Sequence, residues 1–467
     1  MRTVISGGTV VTAVGSSPAD VLVEGECIVA LAAAGSELAE GWAAGADRRI
    51  DASGRLVIPG GIDGHTHMEM PFGGTKAADT FETGTKAAAW GGTTTVIDYA
   101  IQSRGDSLRQ GFDAWLAKAD GVCAIDYGFH MIVSDVSEFS LKEMDQLVDD
   151  GVSSFKLFMA YPGVFYSDDG QILQAMQRAS GNGATVMVHA ENGIAIDTLV
   201  AQALERGNTA PRFHGETRPS TLEGEATHRA ICLAKVTGAP LYIVHLSAME
   251  ALDEVTAARD TGQPVFAETC PQYLFLSEED MARGDFEGAK YVCSPPLRPT
   301  AHQAQLWRGL RTNDLSVVAT DHCPFCFRQQ KELGRENFSK IPNGLPGVEH
   351  RMDMIYQGVV SGEITVERWV ELTSTTPARM FGLYPKKGTI APGSDADIVI
   401  YNPGLVHTLS AETHHMDVDY SVYEGRRLKG GVETVLSKGR IIVDHGAYHG
   451  SAGHGRFLER GLNGYLG

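Results

Sequence analysis

The stretch Leu56-Val57-Ile58-Pro59-Gly60-Gly61-Ile62-Asp63-Gly64-His65-Thr66-His67 decides how this chain is read. Before it, residues 3–5, 9–12, 20–24 and 27–31 are short alternating runs broken by glycine, the texture of a small β-sheet. From Leu56 onward the texture changes. Short runs rich in Val, Ile and Phe alternate with longer Ala-rich segments of helical period, which is the mark of repeated βα units and a parallel sheet. Eight such runs occur, at 56–62, 94–99, 127–133, 154–159, 185–189, 241–245, 264–269 and 316–320. Helical periodicity follows several of them, at 83–90, 141–148, 171–179, 221–236 and 249–259. Eight parallel strands with interleaved helices predict an α/β fold, a (β/α)8 barrel.

Working outward, strand-like sequence without helices returns at 388–390, 396–401, 432–437 and 440–443. The expected organisation is therefore a catalytic barrel over 56–387, with a small composite β-sandwich domain built from 1–55 and 388–467. The barrel span exceeds the usual ~250 residues, so long insertions are expected at 161–169, 204–218 and 325–347. The 467 residues include 43% hydrophobic and 21% charged, the balance of a chain with a sizeable core. No run is long and apolar enough to span a membrane, and no basic, apolar, small-residue leader pattern is present; the expectation is a cytoplasmic protein. Lys plus Arg number 39 against 58 Asp plus Glu, a net charge of −19. That field repels phosphate backbones and anionic lipid, which argues against nucleic-acid or membrane partners. Seven scattered cysteines point to reduced thiols rather than a disulfide framework.

Barrel enzymes carry their chemistry at the C-terminal ends of the strands. Strand one runs into His65-Thr66-His67, whose imidazoles, two apart in extended chain, point to the same side and can share one cation. Strand five ends at His189, strand six at His245 and strand eight at Asp321, while strand four carries Lys156 among apolar neighbours. Singly, each has an ordinary structural explanation, because a strand-end histidine is more often a hydrogen-bonded core residue and 16 histidines make chance pairs common. Jointly, four imidazoles and a carboxylate at strand ends are what a metal centre at a barrel mouth requires.

Ligand arithmetic extends this. Zinc takes about four ligands, one position being open when the site is catalytic. Five protein ligands are too many for one such ion and too few for two without a bridge. An ammonium cannot ligate a cation, but burial lowers a lysine's pKa, and a neutral amine captures CO2 as a carbamate, an anionic two-oxygen bridge. With Lys156 carboxylated, His65, His67 and Asp321 hold one divalent ion and His189 and His245 the other, with a hydroxide between them.

The same residues resemble the amidohydrolase superfamily, and within it the D-hydantoinase and dihydropyrimidinase family. The resemblance rests on Gly60 through His67 followed by Met70-Pro71-Phe72-Gly73-Gly74-Thr75, and on Phe155-Lys156-Leu157-Phe158-Met159-Ala160-Tyr161. It rests also on His189-Ala190-Glu191-Asn192, Cys293-Ser294-Pro295-Pro296-Leu297-Arg298, Ile341-Pro342-Asn343-Gly344 and the exit Gly393-Ser394-Asp395-Ala396-Asp397. The resemblance implies hydrolytic ring opening of a small neutral cyclic amide, a 5-substituted hydantoin or a dihydropyrimidine, to an N-carbamoyl amino acid. It implies that Tyr161 hydrogen-bonds the developing oxyanion, that Ser294 and Asn343 hold the ring's amide edge largely through backbone groups, and that Phe72, Phe158 and Phe165 wall the exocyclic substituent. Asp321 is expected to pass the proton from the attacking hydroxide to the leaving nitrogen. A homotetramer is implied too, with the segment 417–467 assisting assembly.

Three rivals stand beside this reading. A dihydroorotase needs an arginine soon after the His-x-His pair, where Met68-Glu69-Met70 stands instead. An allantoinase shares the hydantoin ring and is opposed only by the Met-Pro-Phe-Gly-Gly segment. A non-catalytic scaffold of the same fold would lack metal ligands, and all six candidates are present. Cys323-Pro324-Phe325-Cys326 has redox-like spacing but no matching second pair, so it reads as loop; His130 and His322 read as structural.

Overall fold

The computed structural model describes residues 1–466; Gly467, the last residue of the expected C-terminal segment, lies outside the described residues. The barrel strands are β1 (Gly61–Thr66), β2 (Thr93–Ile101), β3 (Asp126–Ile132), β4 (Ser154–Phe158), β5 (Thr185–His189), β6 (Leu241–Ile243), β7 (Val265–Thr269) and β8 (Val317–Val318). Each pairs in parallel with the next in chain order. The ring closes just past β8, where Thr66 bridges His322 and the His67 N–H donates to the His322 carbonyl at 2.9 Å. Every residue of these strands is buried, because side chains fill the interior on one face and helices cover the other. The expected helices are present as Phe81–Trp90, Glu138–Asp149, Asp169–Asn182, Ser220–Thr237 and Met249–Asp260, and a further helix, Leu108–Ala119, follows β2. Reciprocal capping starts several of them: Ser107 pairs with Gln110 and Asp168 with Gln171, satisfying amide donors that the first turn leaves free.

The expected first run, 56–62, divides. Leu56–Pro59 pairs with Ile398–Tyr401 and with Thr9–Val10 in the terminal sheet, and only after Gly60 does the chain enter the barrel. A Cβ on Gly60 would lie 2.1 Å from Thr94 Oγ1, so the crossing between sheets needs a residue without a side chain. Periodicity cannot show this, because both halves are buried apolar strand.

The terminal domain is a ten-stranded sheet that uses both ends of the chain, nine strands in one path and Cys27–Ala33 paired off it to Gly15–Glu24. Gly15–Glu24 pairs with Thr9–Thr12 along its first half and with Arg2–Ser6 along its second, folding the sheet over on itself. Ile5, Val10, Val21, Ile28, Val57, Ile398 and Leu436 fill the enclosed space. Residues 388–390, expected as strand, form a bend whose Ile390 reaches the same core.

Two features fasten the domains, and neither is visible in the sequence. Asp126, at the start of β3, accepts from Lys387 Nζ at 2.8 Å and Lys438 Nζ at 2.6 Å, and Lys387 also reaches Asp397 at 2.6 Å and Asp395 at 3.1 Å. The three carboxylates cluster as metal ligands can, but two buried ammoniums already neutralise most of their charge. The tail then runs beneath the barrel: Gly455, Leu458 and Arg460 donate backbone N–H to Cys123, Tyr127 and Gly151. The Arg460 guanidinium enters the barrel floor, donating to the Phe129 carbonyl and Ser154 Oγ. Much of the segment expected to assist assembly thus spends its hydrogen bonds on its own barrel. No helix among the described residues is long and apolar enough to cross a membrane.

Candidate metal centre and substrate cavity

At the C-terminal mouth of the barrel, His65 Nε2, His67 Nε2 and Asp321 Oδ1 form a triangle with edges of 3.1, 3.2 and 3.2 Å. Ligands about 2.1 Å from one ion at tetrahedral angles stand about 3.4 Å apart, so the triangle has the dimensions of a coordination face. His189 Nδ1 and His245 Nε2 face each other at 2.9 Å, and both rings line one cavity with His67, Lys156 and Asp321. Lone pairs turned toward one another in a dry site are unfavourable alone and favourable around a cation.

Burial lowers the His65 imidazole pKa, but Glu268 and Asp321 outweigh it and raise that pKa; the other shifted groups favour ligation. Burial draws His67 down to about 4 and His245 well below the ordinary imidazole range, leaving neutral rings with lone pairs to donate. Burial raises the Asp321 carboxyl, but the neighbouring His65 and His67 outweigh it and hold that carboxyl well below its usual range. Burial draws the Lys156 amine down to about 8 despite Asp321 and Glu268, so near neutral pH a fraction is uncharged. Its Nζ lies 4.6 Å from the Tyr99 ring centroid and 4.9 Å from that of Phe158.

The ligands are held by groups that the sequence reading passed over. His65 Nδ1–H donates to Glu268 Oε1, leaving Nε2 free to ligate. Glu268, wholly buried on β7, also accepts from the Tyr242 hydroxyl at 2.9 Å and the His245 N–H at 3.1 Å. His189 Nε2–H donates to Glu191 at 2.8 Å, leaving Nδ1 free. Carboxylates behind ligating imidazoles fix both tautomer and ring orientation. Asp63 accepts from Thr320 N and Oγ1 at 3.1 and 2.6 Å, and Asp98 from Thr66 Oγ1 and Met68 N at 2.8 Å each, so the His-x-His strand end is gripped from both neighbouring strands. Asp63, Asp98 and Glu268 are carboxylates inside wholly buried strands, and that placement was the available signal. Asp321 and His245 have φ of 53° and 38°, and Tyr161 has φ of 61°, a region costly for residues with a Cβ.

Three segments cover the centre. A hairpin, Pro71–Phe72 against Thr75–Lys76, turns through Gly73 and Gly74 at φ 61° and 79° and sets Phe72 against the ring of Tyr161, 5.3 Å between centroids. Phe158 and Phe165 stack at 5.0 Å, with Phe158 against His189 at 5.5 Å. Opposite, Asn343 Nδ2 donates to Ser294 Oγ at 3.0 Å. Phe72, Phe158, Tyr161, Phe165, Ser294 and Asn343 all line the cavity that holds the metal-ligand candidates, and Phe158 is at the same time buried in the core. Past Phe72 and Tyr161 an outer groove opens, bordered by Val164, Asp197, Val200, Arg218 and Ile341. His130 and His322 are structural, as read: His130 Nε2–H donates to Gly64 O at 3.0 Å and His322 contacts Asp79 at 3.0 Å. Cys323 borders the cavity and Cys326 lies 3.8 Å from Asp417 O, both as free thiols in a loop.

Comparison with known proteins settles the lineage. The amidohydrolase family profile matches residues 56–442. A D-hydantoinase of Streptomyces coelicolor is 69% identical over 465 residues, spanning all of this chain and 99% of that protein. The chain belongs to the D-hydantoinase and dihydropyrimidinase family of amidohydrolases. A D-hydantoinase of Geobacillus stearothermophilus is 46% identical across this whole chain and 98% of its own length. The crystal structure of the dihydropyrimidinase from Brevibacillus agri NCHU1002 superposes with a TM-score of 0.96 at 48% identity, covering 99% of each chain. Amidohydrolases are metal-dependent, and in this family member the His65, His67 and Asp321 group is the corresponding candidate metal site.

Proposed function

We propose that the protein hydrolyses the amide bond between the C4 carbonyl and N3 of 5-substituted hydantoins, and the equivalent bond of dihydropyrimidines. The convergence of His67, His189, His245, Asp321 and Lys156 on one cavity, with His65 grouped against His67 and Asp321, supports this reading. Water adds across the bond: its oxygen joins the carbonyl carbon, the ring C–N bond breaks, and the nitrogen takes a proton, giving an N-carbamoyl amino acid. The names of the relatives favour the D enantiomer.

His65, His67, His189, His245, Asp321 and an N6-carboxylated Lys156 would hold two divalent ions, zinc by ligand type. Such a pair would polarise the ring carbonyl and lower the pKa of water near neutral pH. The protein's own residues do the rest. Asp321 takes the proton of the attacking water and gives it to the leaving nitrogen. The Tyr161 phenol, kept protonated by burial, which raises its pKa, donates to the oxyanion, while Ser294 and Asn343 hold the ring's amide edge. Phe72, Phe158 and Phe165 exclude water and take the substituent. Tyr161→Phe, which removes one oxyanion donor, is expected to lower kcat about 10²- to 10³-fold with metal content unchanged, read by steady-state kinetics and elemental analysis.

The decisive assay offers metal-replete protein dihydrouracil, 5-methylhydantoin, 5-phenylhydantoin and allantoin, with chiral chromatography of the products. Turnover of the first three with D products is expected; turnover of allantoin alone would replace this reading with an allantoinase. A scaffold role is opposed by the intact ligand set. The family resemblance further supports a cytoplasmic homotetramer, which light scattering of the purified protein tests for assembly.

A further inference from the structure

Lys331 lies in the 325–347 insertion, and its side chain is wholly buried. Its Nζ donates to three backbone carbonyls, Val292 at 2.9 Å, Pro342 at 2.7 Å and Gly344 at 2.8 Å. These belong to the two separate loops that present Ser294 and Asn343 to the cavity. The loops touch directly as well, through Gly344 N–H to Val292 O at 3.0 Å and through the Asn343–Ser294 bond.

A peptide plane carries its C=O and the next N–H in opposite directions. Turning the Pro342 carbonyl onto the ammonium therefore fixes the plane that carries the Asn343 N–H, the Gly344 N–H bond to Val292 O fixes the plane on the other side of Asn343, and the Gly344 carbonyl fixes the plane after that. The Val292 carbonyl does the same two residues before Ser294. An ammonium has three donors and no acceptor, so three carbonyls saturate it and favour its charged form against the burial that draws its pKa down to about 7. Gly344 completes the arrangement: its φ of 149° favours glycine, and a Cβ there would stand 2.1 Å from the Cys323 carbonyl.

We infer that Lys331 is a positioning residue for substrate, an internal ammonium staple that holds the Ser294 and Asn343 loops in the register that grips the ring's amide edge. The inference rests on the ring contacts proposed above for those loops. It concerns the ring and not its substituent, so its loss falls equally on substrates with small and large side chains.

Lys331→Met keeps the side chain's approximate length and removes every donor. We expect KM to rise about tenfold for 5-methyl- and 5-phenylhydantoin alike, with kcat changed much less and metal content at the wild-type level. Lys331→Gln, with two donors, is expected to fall between Met and wild type. Hydrogen exchange should accelerate in Lys331→Met at 292–296 and 341–345 while the barrel strands keep their protection. In wild-type protein, excess N-carbamoyl product should slow exchange at residues 294 and 343. Absence of that protection removes the ring contacts themselves. Protection in wild type together with an unchanged KM in Lys331→Met overturns the staple alone, as does exchange that accelerates uniformly through the barrel.

Discussion

Lys156→Ala is expected to purify with no more than one divalent ion per chain after dialysis, and to lose turnover by about 10³-fold. The size follows from the several kcal/mol of charge stabilisation that a metal centre supplies, at 1.36 kcal/mol per tenfold. In the proposed two-ion centre His65, His67, His189, His245 and Asp321 are the five direct ligands, and an anionic bridge at Lys156 is what would let two ions share them. The methyl of alanine leaves room for a small molecule between the Tyr99 and Phe158 rings, which flank the amine at 4.6 and 4.9 Å. Added acetate or propionate is therefore expected to restore part of both metal retention and activity. Elemental analysis and initial rates measured side by side check this. Full activity in the alanine variant without any added carboxylate would show that no bridge is needed at this position.

The second large effect is expected at Asp321. Asn at that position keeps an oxygen facing His65 and His67 but cannot accept a proton. General acid–base catalysis is worth about 10²- to 10⁴-fold, and kcat should fall within that range when excess metal in the buffer keeps the centre filled. KM should change little, because the proposed role of the carboxylate is toward the attacking water and not the ring's amide edge. Measuring kcat against metal occupancy separates the two roles of the residue. A kcat within tenfold of wild type at full occupancy would assign the proton transfer elsewhere.

Both effects concern residues legible without coordinates, for a physical reason. A βα repeat forces strand ends to one rim, so His65, His67, Lys156, His189, His245 and Asp321 had to meet wherever the barrel closed. The buried strand around Lys156 likewise announced a depressed amine pKa, and burial does lower it to about 8. The aromatic wall was readable only through the family resemblance, since Phe72, Phe158 and Phe165 carry no local signal that separates a cavity lining from a core. The division of 56–62 between two sheets was not readable at all, because both halves satisfy the same apolar pattern.

Periodicity and residue chemistry by themselves determined the barrel and the composite terminal domain and named the proposed ligand set, since these depend on local hydrophobic pattern and on which side chains can donate lone pairs. Only the tertiary structure decided what stands behind that set: Glu268 and Glu191 on the imidazoles, Asp63 and Asp98 gripping the first strand end, Arg460 in the barrel floor and Lys331 beneath the ring-binding loops. Such partners are chosen by distance in space, with separations from 2 to 331 residues of chain, and a buried polar group can be satisfied by any donor or acceptor that the fold happens to bring near.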